Sequence, residues 1–380
     1  MKTLYIALLS LALTGCAYLR IDPMSVYIRS ETIDSPEKEK EIISKAKLSW
    51  SADGKIRILE TRGTPYEMGF QQGYLLRNEI QDNITYLYDK AVDKFHIEEL
   101  FDEVYERMRP YIPQDYIEEM HGLAHGSKLP LRVIHGFHIL PEIGEWGGKK
   151  KIKKIVEKMM NGELGTSCSN LAASSNATAD GKMYVVRILD WGMHRISKLH
   201  EYPLIHVSYP DNGIPNVNIT WAGFLGAISG MNAEGITLGE MGYKDFDFET
   251  LHGVPMPFLL RDVLKKAHNL SDVREIIGKS APTNSFIFLM SDGKTKDAEM
   301  YIRDPNRFLT FKANTKIEDL GKTWEPLQNI VYGGHYRETM ISTLSEKKGT
   351  ISVETLKNEL IPKFAMPSNF QNVIYDPEDL

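Results

Sequence analysis

The chain has 380 residues, of which 42% are hydrophobic and 25% charged, with a formal net charge of −6 and two cysteines. That is the balance of an ordinary globular protein, long enough for one large domain or two smaller ones. It carries no general basic excess, so nucleic acid is not an expected partner.

Met1-Lys2-Thr3 is a short basic start, and the apolar stretch from Leu4 to Leu13 is too short to span a bilayer. Leu13-Thr14-Gly15-Cys16 resembles a bacterial lipobox, in which cleavage precedes the cysteine and its thiol takes lipid. Residues 1–16 are therefore expected to be a lipoprotein signal with Cys16 as the lipidation site; the alternative is a secretory signal cut after Ala17. Lipid on Cys16 implies a bacterial envelope protein anchored to a membrane, on its periplasmic face. Ala17, where Asp would signal inner-membrane retention, favours the outer membrane. It also leaves Cys168 without a disulfide partner.

Residues 17–54 are polar, with Ser35-Pro36 and a Glu/Lys run, and read as a tether. Residues 55–167 read as a mostly helical N-terminal region after one strand at 55–61. Apolar residues recur there at helical spacing through Met68, Leu75, Ile80, Ile84 and Leu87, then through Ile117, Met120, Leu123 and Ala124. The basic run from Lys149 to Lys154 reads as a solvated loop or helix start. His121 and His125 stand four apart, with His135 and His138 nearby, but no HExxH pattern follows, so neither metal nor cofactor is expected.

From residue 168 the pattern turns to strands, predicted at 168–175, 183–190, 202–209, 216–222, 225–231, 235–242, 285–291, 297–302 and 307–312. A helical stretch at 256–280 interrupts them, and helices return at 336–346 and 352–361. Residues 370–375 read as a strand before an Asp-Pro turn, left as a sheet edge or covered by another segment. A β-rich core with helices before and after it implies α+β packing, a sandwich of sheets under helix layers.

The chemistry centres on Cys168. It opens a strand that passes through Asp180-Gly181 into a second strand ending Arg187-Ile188-Leu189-Asp190. The hairpin returns a cation and a carboxylate to the neighbourhood of the thiol, a plausible setting for an activated nucleophile; a buried core cysteine is the alternative.

Several blocks, in order, carry a family resemblance. They are Gly63-Thr64-Pro65-Tyr66-Glu67-Met68-Gly69 with Gly73, Glu119-Met120-His121-Gly122-Leu123-Ala124-His125-Gly126, the Cys168 hairpin, Gly230-Met231-Asn232-Ala233-Glu234-Gly235, and Thr283-Asn284-Ser285. On these the chain resembles the acyl-coenzyme A:6-aminopenicillanic acid acyltransferase, or isopenicillin N acyltransferase-like peptidase, family, and more distantly the choloylglycine hydrolases. The resemblance implies a four-layer αββα N-terminal-nucleophile (Ntn) hydrolase core over 168–380, preceded by a helical pro-region.

It also implies autocatalytic cleavage between Ser167 and Cys168, after which the freed α-amine is the base for its own thiol. Its ordinary pKa of about 7.7–8.0 suits that task. By the same resemblance Asp190 orients the amine, Arg187 lowers the thiol's pKa, and Asn284 and the main-chain N–H near Gly242 bind the oxyanion. Arg337 buttresses the site. Ser167 departs from the Gly usual before the nucleophile, which leaves cleavage open. Residues 147–166 would be the loop that leaves the site. The implied partner is a small acylated substrate, an amide of an amino acid, peptide or amine. Lysophospholipase-like ester hydrolysis and a catalytically silent envelope binding protein remain alternatives. Trp191, Phe224 and Tyr243 are candidates to line an acyl pocket.

Overall fold

The computed structural model describes residues 33, 35–88, 98–145, 167–192, 197–243, 250–319 and 322–380. The expected signal with Cys16, the basic run from Lys149 to Lys154 and the loop 147–166 lie outside the described residues.

Helix α1 (Pro36–Ser44) and strand β1 (Lys47–Trp50) occupy the second half of the expected tether. That expectation is corrected for these residues: β1 pairs antiparallel with β2 (Arg57–Gly63), and Ile42 of α1 is fully buried. The polar composition that suggested a tether is the solvent side of a sheet edge. Helices α2 (Pro65–Leu75), α3 (Arg77–Leu87), α4 (Glu98–Met108), α5 (Gln114–Ser127), α6 (Leu131–His138) and α7 (Leu140–Glu145) follow.

The glycines of the first two motif blocks have a packing reason. Thr64 caps α2 with a reciprocal bond from Glu67, and Pro65 fills the first turn. Gly63 has φ +120°, and a Cβ there would meet Glu67 Oε2 at 2.1 Å. Further along, a Cβ on Gly69 would lie 2.0 Å from the Glu119 carbonyl oxygen, and one on Gly122 2.1 Å from that of Tyr66. Gly73 and Gly126 repeat the contact one turn on, so α2 and α5 touch backbone to backbone.

The second half of the chain supplies β3 (Ser167–Ala173), β4 (Tyr184–Asp190), β5 (Pro203–Pro210), β6 (Asn216–Trp221), β7 (Ser229–Asn232) and β8 (Ile236–Gly242). Helices α8 (Met256–Lys266) and α9 (Leu270–Lys279) precede β9 (Phe286–Asp292), β10 (Asp297–Arg303), β11 (Phe308–Lys312), β12 (Ile317–Asp319), β13 (Lys322–Trp324) and β14 (Ile330–Gly333). The chain closes with α10 (Arg337–Lys347), helical pieces at Val353–Thr355, Leu356–Leu360 and Ile361–Phe364, and β15 (Asn369–Tyr375).

A nine-stranded sheet runs β1-β2-β5-β6-β7-β8-β9-β10-β11, and a four-stranded sheet runs β14-β3-β4-β15. Asn170 of β3 donates to the Glu240 carbonyl of β8, and Arg187 of β4 meets the Glu240 side chain, so the two sheets lie face to face. Helices α8 and α9 cover the far face of the large sheet through Leu260, Val263, Leu264 and Val273 against Leu238, Phe288 and Tyr301. On the far face of the small sheet Met340 of α10 and Ser169 of β3 both lie close to Gly334, and Leu344, Leu356 and Leu360 join the same core. The fold is α+β, a four-layer αββα sandwich preceded in the chain by a mostly helical region.

That helical region is not set apart from the sandwich. β2 pairs in parallel with β5 from Arg57↔Leu204 to Gly63↔Pro210. Tyr116 stacks on Phe258, and buried Glu119 pairs with Arg261 at 3.2 Å, tying α5 to α8.

The predicted strands from 168 on are present within a few residues. The one at 225–231 begins only at Ser229, because Gly226 is held by Asn218, which donates to its carbonyl oxygen. The helical stretch 256–280 is two helices, since Asn269 caps α9 with bonds from Ser271 and Asp272 N–H. Strands β12, β13 and β14 were not expected; they are three or four residues long and show little alternation. Residues 370–375 form most of β15, paired antiparallel with β4 as the outer strand of the small sheet.

Candidate active site

Cys168 is the second residue of β3, and the β3–β4 register decides what surrounds it. Asn170 stands opposite Arg187, Cys168 opposite Leu189, and Ser167 opposite Asp190. Because side chains alternate across a strand, Cys168, Asn170 and Arg187 face the large sheet, while Asp190 lies on the other face, level with the Ser167–Cys168 bond.

The thiol is 7% exposed and lines a cavity of about 460 Å³. Met241, Gly242 and Tyr243 from the end of β8, Ile287 of β9, Trp324 of β13 and residues Gly334 to Thr339 form its walls. β14 pairs with β3 as far as Gly333↔Asn170, and continuing that register by two residues sets His335 level with Cys168.

Arg187 is fully buried beneath the site. Its Nη1 donates to the Ile188 carbonyl at 3.0 Å and its Nη2 reaches Glu240 Oε2 at 3.4 Å. Burial alone would depress its pKa, but the neighbouring Cys168 and Glu240 raise it, so the guanidinium stays charged. Burial pushes the Cys168 thiol up to about 12; Arg187 pulls it down and Glu240 opposes that pull. In the intact chain the sulfur is therefore a neutral thiol at neutral pH.

Asp190 is buried at the end of β4. Its Oδ1 accepts from Asn369 Nδ2 at 2.9 Å, whereas its Oδ2 is buried with no hydrogen-bond partner. Burial raises its pKa; Asn369, the Met366 N–H and the charges of Arg187 and His335 draw it back. A half-satisfied carboxylate beside the first peptide bond of β3 is an acceptor awaiting a donor.

Gly242 lines the cavity. Tyr243 N–H is taken by the Ser285 carbonyl at 3.1 Å, so strand alternation turns the Gly242 N–H away from β9. Asn284 is buried and stands apart from the cavity wall: its Nδ2 donates to Glu142 Oε2 at 2.9 Å, beside Thr283, which donates to the same oxygen. Arg337 lines the cavity with its guanidinium carbon 5.2 Å from the Trp324 ring centre. Cys168, Gly242 and Arg337 thus line one cavity, Arg187 lies buried on the Cys168 face of the hairpin, Asp190 sits on the other face beside the Ser167–Cys168 bond, and Asn284 is engaged by the helical region.

Glu240, Trp324, His335 and Glu142 were not singled out from the sequence as site residues. Glu240 did carry a signal, the one charged residue in the strand Ile236–Gly242. Of the aromatic candidates Tyr243 lines the cavity, while Trp191 and Phe224 pack against Trp221 at 6.0 and 6.2 Å. His138 is structural: its ring bonds the Ile134 carbonyl at 2.8 Å and accepts from Leu225 N–H at 2.9 Å. Among the described residues no cluster of His, Cys, Asp and Glu could hold a metal ion.

No protein-family model matches the chain. It is 23% identical over 343 residues to protein dcd1A of Dictyostelium discoideum, covering 80% of this chain and 73% of that protein. Protein dcd1B of the same organism is 24% identical over 340 residues, covering 80% and 63%. An uncharacterized protein of Archaeoglobus fulgidus is 26% identical over 270 residues, covering 63% of this chain and 42% of that one. The chain thus spans less than two thirds of the last two relatives. Among solved structures, a Caenorhabditis elegans ortholog of N-acylethanolamine-hydrolyzing acid amidase is similar with a TM-score of 0.41 and 15% identity, over 56% of this chain and 93% of that one. A mutant conjugated bile acid hydrolase from Clostridium perfringens gives a TM-score of 0.28 and 12% identity, over 47% and 57%.

Proposed function

We propose that the chain is a cysteine-type Ntn amidohydrolase or acyltransferase, matured by its own cleavage between Ser167 and Cys168. The single observation that carries this reading is Asp190 Oδ2, buried without a partner level with that bond. Cleavage turns the Cys168 amide into an amine, the donor this oxygen lacks.

In maturation the thiol attacks the Ser167 carbonyl, the C–N bond breaks, and the Cys168 nitrogen leaves as an amine. Water then hydrolyses the resulting thioester and frees the Ser167 carboxyl group. In turnover the α-amine, oriented by Asp190, takes the thiol proton, and the thiolate attacks the carbonyl of an acylated amino acid, peptide or small amine. The Gly242 N–H donates to the oxyanion. Asn284 keeps one N–H on Glu142, and only its second N–H is available to join it. The amine leaves with the proton, and water or a second amine releases the acyl group from sulfur. Buried Arg187, held by Glu240, offsets the negative charge on sulfur. Lipid on Cys16, placing the enzyme on the periplasmic face of the outer membrane, belongs to the same proposal; loss of fatty-acid labelling in Cys16→Ser tests it.

Intact mass and N-terminal sequencing test the main claim. The purified protein is expected as two fragments, one beginning at Cys168, that hydrolyse N-acyl amides. Cys168→Ala is expected as one uncut chain without turnover. An uncut wild-type chain that hydrolyses amides overturns the mechanism.

A further inference from the structure

The cavity wall beyond the thiol carries two features that the chemistry at Cys168 does not use. Arg337, at the first turn of α10, is half-buried and packs over the Trp324 ring, yet it has no carboxylate partner among the described residues. Glu338, also on the wall, is exposed and forms no ion pair with it. Trp324 is 4% exposed, and its indole N–H is buried without an acceptor. A desolvated donor and an uncompensated cation lie on one wall of a cavity that also holds the nucleophile. Such groups are costly unless something pairs with them.

Position then assigns the half of the substrate that would do so. Arg337 begins α10 just beyond the turn at His335 and Tyr336, and the wall residues that follow it, Glu338 and Thr339, are exposed, which puts it toward the mouth. Met241 and Ile287, both buried and apolar, flank the thiol. In an acyl-transfer site the acyl group stays on sulfur while the amine departs to solvent, so the mouth holds the amine half.

We propose that Arg337 and the Trp324 indole N–H form a subsite for a carboxylate on the amine half of the substrate, which selects N-acyl amino acids over neutral N-acyl amines. A planar guanidinium lying over an indole, its carbon 5.2 Å from the ring centre, can offer two N–H donors to a carboxylate. Arg337 is here a specificity residue. The inference rests on the amidase reading for its substrate, but its test is a binding measurement that needs no turnover.

The full chain carrying Cys168→Ala is titrated calorimetrically with N-dodecanoylglycine and with its methyl ester. The acid is expected to bind roughly 10- to 100-fold tighter than the ester, the range of a charge-assisted pair out of water. Adding Arg337→Met should bring the two within about threefold, and Arg337→Lys should restore part of the preference, since a point charge replaces only part of the fork. Acid and ester binding within about threefold with Arg337 present, no binding of either, or an equal loss of both in Arg337→Met overturns the subsite. A protein that prefers the acid but, with Cys168 present, never hydrolyses it keeps the subsite and refutes the amidase reading.

Discussion

His138 offers a test that isolates one buried group. Its ring is stacked between Phe224 and Phe258, at centroid distances of 5.4 and 5.8 Å. The backbone bonds define the tautomer: Nδ1–H donates to the Ile134 carbonyl, and bare Nε2 accepts from Leu225 N–H. A proton on Nε2 would point at another donor. Burial, with a smaller push from the Arg261 charge, lowers the pKa from 6.5 to about 4. The sign follows directly. The unfolded chain takes up a proton near its ordinary pKa while the folded chain refuses it, so stability present above that value is lost as pH falls toward 4. At about 1.4 kcal/mol per pH unit, the loss by pH 5 is about 2 kcal/mol. His135 and His206, both lowered to about 3 by burial, act in the same direction, whereas Glu119 and Asp190, raised by burial, act against it. Comparing wild type with His138→Gln cancels those shared groups. Urea unfolding should show Gln less stable by ~2–3 kcal/mol at pH 7.5, from lost stacking and weaker backbone bonds. The gap should shrink by about 2 kcal/mol at pH 5. A gap constant within ~0.5 kcal/mol across that range would refute a neutral, buried His138.

Asp190→Asn should fold normally and lower kcat on the order of a hundredfold with little change in KM, because the base is no longer oriented; a loss under about threefold would make Asp190 structural. In Gly122→Ala the new Cβ meets the Tyr66 carbonyl oxygen at 2.1 Å and the Phe70 nitrogen at 2.8 Å, so α2 and α5 must separate. Calorimetry should show a loss of ~3 kcal/mol or more, against about 1 kcal/mol for Gly181→Ala; equal losses would refute the close contact. The control has φ +76° but open space around it. The Cys168 thiol, at about 12 in the uncut chain, yields thiolate only as pH rises toward that value. Alkylation of uncut protein at pH 7.5, followed by peptide mass, should run on the order of a thousandfold slower than after unfolding. A folded-state rate that levels off near pH 9 would contradict the shift.

Local pattern was legible where neighbours in sequence are neighbours in space. The two strands of the Cys168–Asp190 hairpin could be read from alternation, but the tight Asp-Gly turn expected between them is instead a ten-residue connection with a 3-10 turn at Ser175–Ala177, and that connection sets Arg187 opposite Asn170 and Asp190 opposite Ser167. Apart from β1, the strands of the large sheet and helix α10 were visible for the same reason. The glycines of α2 and α5 were visible as motifs, but their use, backbone contact between helices, was not.

What tertiary structure alone decided involves groups far apart in the chain. Sequence cannot show that Glu240 neutralises Arg187, that Glu142 holds the Asn284 amide, or that Asn369 occupies one oxygen of Asp190 and leaves the other open. Nor can it show that β1 and β2, from the segments read as tether and pro-region, complete the large sheet. Strand pairing and burial set these relations, and both depend on which surfaces meet after collapse. A hydrogen bond between residues 142 and 284 leaves no periodic trace in either segment. The residue types and their alternation therefore specified the Cys168 strand and its partner strand. The charges and donors around the thiol became specific only when two sheets and a helical layer closed over them and excluded water.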